Sequence, residues 1–170
     1  MRLMAAKALD SEIKKDNKIV AGWLLYYHER KIDYEQQREF ILHSSGPCLS
    51  DVIPGGTNIT SDTTGRKGQK LGDLQDTEKW LALVEEVERR LPWKLQKFLL
   101  LRREYRHSPK RGPGRPSWVP VVQRRYAEEL AKHLGKAEED VWINSPNTFH
   151  EWWDRIVDYT ARLAGKRGLL

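Results

Sequence analysis

This sequence predicts a mainly α fold: a helical bundle with a C-terminal helix-turn-helix-like module and an N-terminal helical segment. Three observations carry that expectation. Large apolar residues recur every three or four positions in several long stretches, the spacing that puts them on one face of a helix. No run alternates apolar and polar residues for long enough to make a strand. Glycine and proline fall at the ends of the periodic stretches, where they stop or start helices (Gly46–Pro47, Pro92, Gly135 and Pro146).

Taken in order, residues 1–45 form the N-terminal segment. Ile13, Ile19, Val20, Trp23, Leu24 and Tyr27 make one apolar stripe, and Asp33 caps a second helix carrying Tyr34, Gln37, Phe40 and Ile41. Lys31–Ile32 is the expected bend between the two. Residues 46–76 change composition to Gly, Ser and Thr with few large apolar side chains, which reads as a linker holding one short helix after Asp62.

Residues 77–170 form the C-terminal module. Trp80, Val84, Val87, Leu91, Leu95 and Phe98 continue at helical intervals, and Pro92 splits the run into two helices, the second reaching about Arg106. A helix over 119–134 follows, with Val122, Tyr126, Leu130 and Leu134 on its buried face and Gly135 as its stop. After the acidic Glu138–Glu139–Asp140, a last helix starts at Ser145–Pro146. Its apolar face is Phe149, Trp152, Trp153, Ile156, Val157, Thr160 and Leu163, so the tryptophan pair is assigned to the core rather than to base stacking.

Charge is unevenly distributed. Between Lys94 and Lys136 stand twelve Lys or Arg against three acids, an excess of +9 in a chain whose net charge is +6. A local field of that sign attracts a polyanion, and release of the polyanion's counterions supplies affinity without reading sequence. Within this stretch Lys110-Arg111-Gly112-Pro113-Gly114-Arg115-Pro116 resembles the AT-hook core, in which Gly-Arg-Pro follows a narrow minor groove. It equally suits a rigid, solvated connector, and in either case Lys110, Arg111 and Arg115 are placed for phosphates. Arg124, Arg125 and Lys132 lie away from the apolar stripe of their helix, where they suit a phosphate backbone. Asn147, Thr148 and His150 open the last helix and are types that contact base edges; Arg155 follows them, with Glu151, Asp154 and Asp158 on the same helix.

Enzymatic signals are weak. There is no Walker loop or dinucleotide fingerprint, and the five histidines (His28, His43, His107, His133, His150) lack metal-ligand spacing. No catalytic, cofactor-binding or metal-binding residue is assigned, and the chain is expected not to be an enzyme. The single cysteine, Cys48, permits no internal disulfide, and no apolar run approaches the roughly 20 residues that span a bilayer. A cytoplasmic protein without membrane contact is expected.

Several segments resemble a group of proteins found in prophages of Gram-positive bacteria. They are Trp118–Gln123, Arg125–Glu129, Thr148–Trp153 and Ile156–Leu163. More distantly, the layout is similar to the RinA/ArpU-type phage late-gene regulators, whose helical N-terminal part and linker (here Ser61-Asp62-Thr63-Thr64) precede a module like sigma-factor region 4. Leu91–Tyr105 resembles the helix that opens that module. Sigma-like modules run directly from the glycine ending one helix to the serine opening the recognition helix. Here Lys136–Ile143 is inserted between Gly135 and Ser145. The resemblance implies a DNA-binding transcriptional regulator whose partner is double-stranded DNA. Two alternatives stay open: a packaging protein like a terminase small subunit, which would be a homo-oligomeric ring, and an adaptor binding host RNA polymerase.

Overall fold

The computed structural model describes residues 2–43, 68–72, 74–106 and 118–170, with side chains from Ser11 onward. Among the described residues the chain is mainly helical and holds no strand. The long helices are α1 (Arg2–Leu25), α2 (Tyr27–His43), α3 (Gln75–Arg90), α4 (Trp93–Glu104), α5 (Val119–Leu134) and α7 (Pro146–Lys166), with the single turn α6 (Glu138–Val141) before the last. Residues 68–72 add a helical turn ahead of α3. Among the described residues no helix is long and apolar enough to cross a membrane. Lys110, Arg111 and Arg115, and the Ser61–Thr64 segment, lie outside the described residues.

One hydrophobic cluster draws on both ends of the chain. Val20, Leu24 and Tyr27 meet Trp80, Val84 and Val87 of α3, and the cluster continues through Phe98, Trp118, Val122 and Tyr126 to Phe149 and Ile156. Helix α1 packs on α7, α3 and α4, while α5 packs on α4 and α7.

The bend in the N-terminal segment is at Tyr26, not at Lys31–Ile32, and Asp33 lies inside α2 rather than capping it. Nothing in Lys31–Ile32 opposes a helix. At Tyr26 the cause is tertiary: the Arg103 guanidinium donates through Nε to the Leu24 carbonyl at 2.8 Å, and a side chain inserted in the ladder kinks a helix. Bonds from Tyr26 N to Gly22 O (3.1 Å) and from Arg30 N to Tyr26 O (3.0 Å) carry the chain across.

Other ends follow local chemistry. The residue before a proline is pushed out of the helical region, and Leu91 is extended at φ −67°, ψ 142°. Gln96 then donates through Nε2 to the Glu88 and Leu91 carbonyls (3.0 and 2.9 Å), adding a donor to Glu88 O, which Leu91 N also reaches, and supplying one to Leu91 O past the end of α3. Gly135 closes α5 at φ 62°, and Lys136 N donates to Ala131 O, the bond that completes a left-handed helix stop. Because the chain turns away there, Leu134, expected in the core, is 48% exposed. Ile13, Ile19 and Phe40 are exposed as well; beside the last two, Val20 and Ile41 take the core-facing positions instead. The tryptophan pair of α7 is partly buried against the core, as expected from its register.

Candidate nucleic-acid interface

Helices α4 and α5 run antiparallel, joined along their length by side chains. The rings of Trp93 and His133 stack at 4.1 Å, Lys97 Nζ meets Glu129 Oε2 at 3.2 Å, and Arg125 Nε donates to Tyr105 Oη at 3.1 Å. Beneath the pair lies an aromatic layer. Phe98 contacts Trp118, Phe149 and Trp152 at 5.7–6.2 Å between ring centres, and Tyr126 contacts Phe149 and Trp152 at 5.9 and 5.5 Å in edge-on geometry. This layer fixes which side chains of the pair can face outward.

Outward stand Lys94, Arg124, Arg125 and Lys132, with Lys136 just past the stop of α5. Glu128 lies between the two arginines, 2.8 Å from Arg125 Nη1 and 3.8 Å from Arg124 Nε. Its carboxylate, and then the Tyr105 phenol, hold the Arg125 guanidinium above its ordinary pKa. Arg124, Glu128 and Lys132 follow each other at four-residue intervals, so they share one outer stripe.

Much of the basic excess is turned inward. Arg103 is 2% exposed and bonds Leu24 O and Glu88, whose Oε2 lies 2.8 Å from its Nη1. Arg106 pairs with Glu29. Arg102 is buried between two indoles. A count along the sequence cannot separate these from free cations. Moreover, the stretch from Trp118 to Leu170 carries eight Lys or Arg and eight Asp or Glu. The helix expected to read bases therefore belongs to an electrically balanced region.

The first turns of α7 come up against the N-terminal half of α5. Trp118 meets His150 edge-on at 5.2 Å, and Gln123 donates through Nε2 to Ile143 O at 2.6 Å. Asn147 and His150 are exposed and Thr148 is half-buried. Among the described residues no hydrogen bond or ion pair links these three to Arg124, Arg125 or Lys132. No family model matches the chain, and no curated protein or solved structure matches it either.

Eleven residues, including α6, lie between α5 and α7, where a helix-turn-helix uses three or four. Among the described residues there is no cluster of three or more His, Cys, Asp or Glu able to hold a metal ion. Sequence reasoning missed Arg102. The signal was present, because Leu95, Phe98 and Arg102 stand at i, i+3 and i+7, and this places the arginine on the buried stripe.

Proposed function

We propose that the protein binds duplex DNA through the outer side of the α4–α5 pair. The observation that carries this reading is the placement of Arg124, Arg125 and Lys132 on one exposed helix, alongside Lys94 on its antiparallel neighbour. Cations on adjoining helices can follow a line of phosphates. The connector between α4 and α5 bears Lys110, Arg111 and Arg115, and so extends the basic stretch in sequence. The affinity expected of such a surface is electrostatic and largely independent of sequence. On the resemblance of about the last two-thirds of the chain to phage late-gene regulators, the role proposed is transcription regulation. In that role Asn147, Thr148 and His150 are the base-contacting candidates.

Binding of a labelled duplex to the full chain, followed by anisotropy across a salt series, tests this. Affinity should fall steeply with salt. Replacing Arg124 and Arg125 together by alanine should weaken binding to all sequences alike and lower the log–log salt slope by about two, roughly one for each phosphate no longer neutralised. An unchanged slope removes both arginines from the interface, and no salt-sensitive binding at all ends the reading. Selection from a random duplex pool then separates a regulator, which enriches a motif, from a non-specific anchor.

A second reading has its own observation. The acids of α6 are all exposed, and Trp142 beside them is 40% exposed, a combination suited to a protein partner such as host RNA polymerase. Tight polymerase association with no DNA affinity would favour it.

A further inference from the structure

At one end of the α4–α5 pair two flat rings lie face to face. Trp93, the first residue of α4, and His133, in the last turn of α5, stack at 4.1 Å between ring centres with their planes 26° apart. Tyr126, Leu130 and His133 stand at i, i+4 and i+7, so the imidazole takes the place where the apolar stripe of α5 would continue. Trp93 is partly buried against the core, whereas His133 is exposed. The indole covers one face of the imidazole, which leaves the other face and the ring edges to solvent. His133 makes no hydrogen bond or ion pair among the described residues.

The surroundings are cationic, and their charges are free. Lys94 follows Trp93, Lys132 precedes His133, and Lys136 lies three residues beyond it. All three are exposed, and none has a side-chain hydrogen bond or ion pair among the described residues. Lys97, one turn into α4, is instead paired with Glu129. The acids of α6, Glu138, Glu139 and Asp140, follow Lys136 as the chain turns back along α5 towards Ile143, and they bound the patch on that side. An exposed ring face among unpaired cations offers a π surface for a base and charges for the phosphates beside it. A base inside a duplex is stacked on both faces, so an unpaired base is the one that reaches such a surface.

From this we infer that the Trp93–His133 stack is a platform for an unpaired nucleobase, with Lys94, Lys132 and Lys136 holding the phosphates beside it. The inference rests on the reading of the α4–α5 face as a nucleic-acid surface and narrows it, because this end of the face takes single-stranded rather than paired nucleic acid. Stacking does the recognising, and every base has a π face, so little sequence preference is expected.

The test compares three labelled ligands on the full chain at one near-physiological salt concentration: a short thymidine strand, an abasic strand of the same length and charge, and a duplex. Wild type should bind the thymidine strand about tenfold more tightly than the abasic one, the order of magnitude expected for one stacked base. His133→Ala should bring the two strands to within about twofold of each other while keeping the wild-type affinity for the abasic strand. His133→Phe keeps a flat ring over Trp93 and should restore the preference. Equal wild-type affinity for the two strands, binding of neither strand, a preference that survives in His133→Ala, or one that His133→Phe fails to restore overturns the proposal. Duplex binding without any preference between the strands removes the platform and leaves the α4–α5 reading standing. A base-dependent preference without duplex binding keeps the platform and ends the duplex reading.

Discussion

Towards α5 and α7, helix α4 presents Phe98 to the rings of Trp118, Phe149 and Trp152. Towards the N-terminal helices it presents Arg103, with Arg106 just past its end, and the two reach Leu24 O, Glu88 and Glu29. The two seams of one twelve-residue helix thus rely on different physics. Rings pack by shape and area, tolerate small shifts, and lose energy in proportion to the volume removed. The guanidinium of Arg103 must find a backbone oxygen and a carboxylate together, while its central carbon lies 4.9 Å from the Tyr27 ring centre. That seam is directional. It sets where α1 breaks and how the N-terminal helices register against α3 and α4, and Lys31 adds to it by bonding Glu85 at 2.8 Å beside the Tyr27 hydroxyl.

The comparison can be broken most forcefully on the aromatic side. Phe98 is fully buried, so Phe98→Ala should cost about 3–5 kcal/mol, read as a lower urea midpoint with an unchanged slope. A loss under 1 kcal/mol would mean that the layer collapses into the vacated space and holds little of the fold. The polar side should respond less. Glu88→Gln keeps shape and removes the charge facing Arg103, and because Glu88 keeps 31% of its side chain exposed, water shares the compensation. A cost of about 1–2 kcal/mol is expected. Urea midpoints of the two proteins check it, and a cost below about 0.5 kcal/mol would mean that the Leu24 carbonyl alone holds the Arg103 guanidinium in place.

The two seams also differ in how far they could be read from the sequence. The limits of α5 and the start of α7 were legible because their causes are local: Gly135 at positive φ, Pro146 at the first helical position, and an unbroken apolar register along each helix. The break at Tyr26 was not legible, since its cause is a donor 79 residues away. Exposure of Ile13, Ile19 and Leu134 was hidden for another reason. Periodicity names the face that could be buried, while coverage depends on where other helices end. At the proposed interface, the exposure of Arg124, Arg125 and Lys132 followed from their position opposite Val122 and Tyr126. The strength of the basic field did not follow, because Arg102, Arg103 and Arg106 count as charges along the chain but are stacked or paired within the fold.

The smallest effect sharpens the comparison by placing a polar group on the aromatic seam. Tyr126 is 2% exposed, its hydroxyl has no partner among the described residues, and burial pushes the phenol up to about 12. Tyr126→Phe keeps the ring contacts with Phe149 and Trp152 and deletes an unsatisfied oxygen. At neutral pH the variant should match wild type or exceed it by up to about 1 kcal/mol. Alkali gives a second reading with a definite sign. The fold favours the neutral phenol, so its full contribution is present below the unfolded value near 10. That contribution falls by at most about 1.4 kcal/mol per pH unit as pH rises towards the folded value. The variant lacks this group, so its advantage should widen between about pH 10 and 12 and stay flat below. Urea midpoints of the two proteins across that range measure the difference directly. A Tyr126→Phe protein more than about 1 kcal/mol weaker at neutral pH would show that the hydroxyl has an acceptor, such as a bound water, and that the aromatic seam too contains a directional bond.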